Sequence, residues 1–146
     1  MKKLTCPLLI PAGCLPFGLG YAMDQWMTVH PDQLFPFYPA SFLFLLCWFF
    51  LAFLGYRSCS HTGAVLLSLH PAALVSLLVL LFQEHILGRF YGTAFQMFYL
   101  PVLRLGTQLD LLGHSLSSAC LIAFLLMVLS GYLGCKVSEF TLKSRK

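Results

Sequence analysis

Charged residues are scarce in this sequence. Only 10% of its 146 residues are Asp, Glu, Lys or Arg, whereas 59% are hydrophobic. Soluble domains carry about 25% charged residues, and a water-soluble fold could not cover this much apolar surface. The composition excludes a soluble globular protein and predicts a small, single-domain integral membrane protein whose main partner is the lipid bilayer.

The sequence also lacks the short motifs of common active sites: HExxH, G-x-S-x-G, a Walker lysine and a dinucleotide fingerprint. Its six cysteines form no CxxC pair, so we interpret them as small apolar residues rather than disulfides or metal ligands. We expect no metal or cofactor. The net charge of +4 comes from basic residues that are scattered singly or placed at the two ends. This distribution favours a role in membrane topology over nucleic-acid binding.

Two long runs contain no charged residue, 33–56 and 58–83, and Arg57 separates them. Each exceeds the roughly 20 residues that cross a hydrocarbon layer of ~30 Å. They predict two antiparallel membrane spans, at about 41–56 and 64–82, joined by a short turn. A further uncharged run, 111–135, predicts a last span at about 117–135, followed by a tail at 136–146.

The first uncharged run, 4–23, is rich in proline and glycine, which lower helix propensity. We favour a retained but irregular first span. Two alternatives stay open. One is a cleaved secretory signal, and the other is lipid attachment at Cys14, because 11–14 (PAGC) looks like a bacterial lipobox with proline in place of an aliphatic residue.

The segment 83–116 has no uncharged run longer than fourteen residues. We expect an interfacial or re-entrant helical segment there, made of two short helices broken near Pro101 and Gly106. The predicted fold class is therefore an all-α, multi-pass membrane protein with four transmembrane helices and this outer segment before the last one.

Basic residues predict the orientation. With four spans and a cytoplasmic N-terminus, seven of the nine lie inside, as the positive-inside rule expects. We therefore expect a cell membrane protein, such as one of a bacterial inner membrane, with both termini cytoplasmic. The seven residues are Lys2, Lys3, Arg57, Lys136, Lys143, Arg145 and Lys146.

An ionisable side chain at bilayer depth is costly and is a functional candidate by default. His70 lies near the middle of the predicted third span, directly before Pro71. Two roles compete for it, beside a lipid-facing position without any role. Because Pro71 frees the carbonyl of Leu67 and bends the helix, a neutral imidazole could serve as a local hydrogen-bond donor. Ligand or proton handling is the functional alternative.

Small side chains recur every fourth residue along the same span, which lets another helix approach closely. They predict a helix-packing seam, within this chain or against another subunit. The seam residues are Ala64, Ser68, Ala72 and Ser76.

Polar residues gather in and near the outer segment. They are interpreted as solvated interfacial charges, with a pocket for an anionic ligand or lipid headgroup and a metal site as alternatives. The six candidates are Glu84, His85, Arg89, Arg104, Asp110 and His114.

Three functions remain open. The favoured one is a non-enzymatic membrane protein that assembles with another membrane protein or with copies of itself. The second is a component of a small-solute or ion transporter or channel, indicated by the interrupted helices. The third is a membrane enzyme with an outward-facing polar site.

Overall fold

The computed structural model describes residues 9–86, 89–110 and 115–144, without the side chains of 83–94. Within these ranges the chain is helical and contains no strand, so the all-α prediction is confirmed. The helices are α1 (Leu9–Ala12), α2 (Leu15–Val29), α3 (Phe37–Cys59), α4 (Thr62–Leu69), α5 (Pro71–Ile86), α6 (Arg89–Leu109) and α7 (Leu116–Lys143).

Two of these helices, α3 and α7, are long and apolar enough to cross a membrane, consistent with a membrane protein. At about 1.5 Å per residue, 23 and 28 residues measure roughly 34 and 42 Å. Helices α4 and α5 pass the same test only as a pair, and a bend of 51° at His70 separates them. The bend follows from Pro71, which has no backbone N–H to continue α4.

The first predicted span is interrupted, as its prolines and glycines indicate. Helix α1 ends at Ala12, and α2 begins at Leu15 and continues to Val29, six residues beyond the predicted end of the span at residue 23. Residues 4–8 of that predicted span lie outside the described part of the chain.

The prediction of two short helices around Pro101 is wrong, because α6 continues through Pro101 and Gly106. A proline inside a helix costs about 3 kcal/mol. Here α6 packs against α2, α3, α5 and α7, and Phe98, Tyr99 and Val102 are almost fully buried. This packing holds the helix together across the proline.

The last helix is longer than the predicted span. Helix α7 continues beyond residue 135 to Lys143, so most of the predicted tail at 136–146 is helical, and its position outside the membrane stays a prediction. On its exposed end Glu139 accepts bonds from Lys136 at 3.0 Å and Lys143 at 2.7 Å. These i,i+3 and i,i+4 pairs favour continuing the helix.

Helices α3 and α7 run parallel and in close contact. Ser130 donates to the carbonyl of Leu45 at 2.7 Å, and Cys135 lies 3.8 Å from the carbonyl of Ala52. The residue numbers rise together on both helices, which fixes the relative direction. Gly134 permits the approach, since a Cβ there would collide with the carbonyl of Phe49.

Candidate functional site

His70 lies at the bend between α4 and α5 and is 7% exposed. Its Nε2 is 3.2 Å from Nε1 of Trp48 on α3, and its Nδ1 is 3.1 Å from the carbonyl oxygen of Leu66. An indole N–H can only donate, so Nε2 accepts this bond. In the tautomer that fits this bond, Nδ1 carries the proton and donates it to the carbonyl of Leu66.

Helix α7 packs against the imidazole through Phe124, Gly131 and the backbone of Met127, to which the ring is hydrogen-bonded. Phe124 presents an edge-on ring at a centroid distance of 6.5 Å. Gly131 leaves room for the imidazole, because a Cβ at that position would lie 3.0 Å from Cε1 of His70. Both ring nitrogens are engaged in hydrogen bonds. This arrangement links α3 and α7 to the bend between α4 and α5.

Trp48, Phe124 and Gly131 were not recognised from the sequence as parts of this arrangement. Trp48 stands among aromatic residues of a long apolar run and carries no pattern of its own. A tryptophan inside a predicted span, rather than at its ends, is the one available signal, because a buried indole N–H needs an acceptor.

The break between α1 and α2 lies beside the bend between α4 and α5. Gly13, between α1 and α2, packs against the carbonyl of Leu69, and a Cβ at Gly13 would lie 2.6 Å from that oxygen. Two helix breaks therefore meet inside the bundle, and a glycine is required at the point of contact.

A groove of about 370 Å³ opens where the two breaks meet. Its walls come from the α1–α2 break, the start of α5 and one aromatic residue of α6. Among the described residues of these walls, Ser76 alone carries a hydroxyl, which donates to the carbonyl of Ala72 at 2.8 Å. The groove is therefore apolar. Residues that line it include Ile10, Cys14, Phe17, Pro71, Val75 and Phe95.

The predicted small-residue seam lies on both sides of the bend. Ala64, Ser68 and Ser76 are buried, and Ala72 is partly buried against the core. Ser68 donates to the carbonyl of Ala64 at 2.8 Å, a local bond that satisfies a hydroxyl without water. The described residues of this chain therefore cover most of the seam.

The structure describes the side chains of two of the six residues in the predicted outer cluster. Asp110, 3% exposed, accepts a bond from the hydroxyl of Ser118 on α7. The Arg104 guanidinium lies 6.0 Å from the ring centre of Tyr38 on α3. The side chains of the other four candidates, Glu84, His85, Arg89 and His114, lie outside the described residues, so an outer polar site stays a prediction.

The cysteines differ from the sequence interpretation at one position. Cys14 and Cys47 are free and exposed, and Cys120 and Cys135 are free and buried. Cys59, at the end of α3, is disulfide-bonded. Treating every cysteine as a small apolar residue was therefore wrong for Cys59. The described residues contain no cluster of three or more His, Cys, Asp or Glu that could hold a metal.

The fold and the site together define a class, an all-helical bundle with two or three helices of membrane-spanning character. Comparison with protein-family models, curated proteins and solved structures gives no match for this chain. A functional proposal must therefore rest on the geometry.

Proposed function

We propose that this chain is a non-enzymatic integral membrane protein that associates with another membrane component, either a different subunit or a second copy. One observation carries the non-enzymatic part of the proposal: polar side chains inside the bundle bond one helix to another. Tyr99 of α6 donates to the carbonyl of Ala73 on α5 at 2.5 Å. The Trp48–His70 bond joins α3 to the bend in the same way. Groups committed to holding helices together favour a scaffold over a catalyst.

The surface supports insertion into a bilayer. Along α3 the exposed side chains are large and apolar, with Phe42 at 69% and Leu54 at 57% exposure. A soluble monomer rarely exposes so much contiguous apolar surface. Acyl chains are its natural covering.

We propose four crossings, made by α1 with α2, by α3, by α4 with α5, and by α7. The parallel packing of α3 and α7 supports an odd number of crossings between them. Helices α4 and α5 supply one on this scheme, since α4 packs against α3 after a short turn and the Trp48–His70 bond links the bend to α3. On this scheme α6 begins and ends on the same side of the membrane.

The contacts of α6 support this placement. Its C-terminal part lies beside the start of α3, through Arg104 and Tyr38. Gly106 touches the backbone of Ala119 near the start of α7. Tyr99 reaches the carbonyl of Ala73, close to the bend in the middle of the bundle. These contacts fit a helix that dips into one half of the bilayer.

Two observations bear on orientation and point in opposite directions. The basic residues place both termini and the α3–α4 turn in the cytosol, which we adopt. The disulfide at Cys59, beside that turn, favours an oxidising compartment. The four-crossing scheme keeps both termini and this turn on one side in either case.

Native thiols provide a test of association. Cys47 is exposed on α3, away from the groove, so mild oxidation in membranes should join neighbouring chains through it. We expect a dimer, or a conjugate with a second protein, that disappears in the Cys47→Ala variant. The Cys120→Ala variant serves as control because its thiol is buried. A chain that stays uncrosslinked and elutes as a monomer after gentle extraction would contradict the proposal.

The second candidate is a component of a transporter or channel. It is favoured by the meeting of two interrupted helices, since broken helices at membrane depth commonly line substrate sites. In reconstituted vesicles, flux of a candidate ion or solute that is abolished by His70→Leu would support this function. Absence of flux, or flux that is unchanged in His70→Leu, would contradict a transporter or channel function.

A further inference from the structure

We propose that the groove between the α1–α2 break and α5 binds the acyl chain of a membrane lipid. The inference rests on the membrane insertion that the proposed function also requires, but not on any protein partner. The groove lies beside Pro71, about nine residues from the start of α4, or roughly 13 Å at 1.5 Å per residue. This depth corresponds to the middle of a ~30 Å hydrocarbon layer.

The chemistry of the walls selects an apolar occupant. A buried water needs two to four polar partners, but the hydroxyl of Ser76 is already bonded to Ala72. The remaining wall residues offer carbon surface and the thiol of Cys14. A volume of about 370 Å³ lies within the range of ~300 to 1,000 Å³ typical of small-molecule sites. The groove is large enough for part of a hydrocarbon chain.

The opening of the groove indicates which molecules can enter it. Ile10 on one wall is 49% exposed and Val75 on the other is 53% exposed. Next to Val75, Leu74 is 47% exposed. The groove is therefore continuous with the apolar surface that faces the bilayer, and the acyl chains of neighbouring lipids are the molecules that meet it.

Photolabelling tests this site. The purified chain is placed in vesicles of phosphatidylcholine and phosphatidylglycerol that contain phosphatidylcholine with a diazirine at one acyl-chain end. We expect the label to concentrate in peptides covering residues 9–17 and 71–76, above the level on the exposed side of α3. Ala72→Phe, which fills the groove, should lower the label there to the level on α3. Ala22→Phe, at an exposed alanine of α2, should leave the pattern unchanged.

Three outcomes would overturn the inference. Equal labelling of the groove and of α3, unaffected by Ala72→Phe, would mean ordinary lipid contact. A crosslink between Cys14 residues of two chains would make a second copy the occupant. Absence of label everywhere would contradict membrane insertion itself. Loss of a protein partner alone would leave the expected labelling pattern intact, so failure of the proposed association can be distinguished.

Discussion

The bond between Trp48 and His70 provides a quantitative prediction. In a His70→Leu variant the carbonyl of Leu66 keeps a donor, because the backbone N–H of residue 70 already bonds to it at 3.1 Å. The indole N–H of Trp48, which is 1% exposed, loses its acceptor. An unsatisfied buried donor costs about 1 to 3 kcal/mol. We therefore expect a loss of this size in the free energy of unfolding.

A double-mutant cycle separates the bond from the loss of side-chain volume. Hydrogen bonds between membrane helices contribute about 0.6 kcal/mol on average and at most about 1.7 kcal/mol. We expect the Trp48→Phe, His70→Leu pair to show a coupling energy of about 1 kcal/mol, with the double variant more stable than the sum of the two losses. His70→Gln, which keeps an acceptor oxygen, should recover part of the stability.

Reversible unfolding in mixed detergent micelles, followed by circular dichroism, measures these energies. The control cycle pairs His70→Leu with Trp26→Phe, since Trp26 stacks on His30 rather than on His70. Independent sites add within about 0.3 to 0.5 kcal/mol. If the Trp48 cycle were as additive as the Trp26 cycle, our account of the bend would be wrong.

Two further comparisons test the packing of the bundle by the same unfolding assay. Gly134→Ala should lower the free energy of unfolding by about 1 to 3 kcal/mol through overpacking against α3. The control Gly18→Ala, with open space around it, should raise it by up to about 1 kcal/mol through helix propensity. Equal effects of the two variants would contradict the close contact between α3 and α7. Tyr99→Phe should lose about 0.5 to 1.5 kcal/mol with its bond to α5, whereas Tyr21→Phe, at an exposed position, should be neutral. If Tyr99→Phe left the free energy of unfolding unchanged, the bond from Tyr99 to α5 would not stabilise the bundle.

The sequence predicted the features that depend on local composition. Uncharged runs located α3 and α7, and the adjacent His70 and Pro71 marked the position of the bend. These predictions succeed because span length and proline geometry act within one segment of the chain.

The contacts between segments could not be predicted in this way. The bond from Trp48 to His70 joins residues 22 apart in sequence and depends on how two helices cross. The same reason explains the wrong prediction at Pro101. The local pattern favours a break, but packing of Tyr99 and its neighbours against four other helices keeps α6 continuous. The glycine contacts likewise depend on backbones that meet only after folding.

The four-crossing scheme predicts which side of the membrane each connection faces. Asp32 lies in the connection between α2 and α3, Ser58 near the end of α3 and Lys143 at the end of α7, and all three are exposed. Single cysteines at these positions, in an otherwise cysteine-free chain, can be labelled with a membrane-impermeant maleimide. Labelling in intact cells and again after permeabilisation assigns each position to one side.

We expect Asp32→Cys to react in intact cells, whereas Ser58→Cys and Lys143→Cys should react only after permeabilisation. Reaction of the latter two from outside, with Asp32→Cys protected, would reverse the orientation and agree with an oxidised Cys59. Labelling of Ser58→Cys and Lys143→Cys from opposite sides would contradict the four-crossing scheme, because the chain would then cross the membrane an even number of times between α3 and α7.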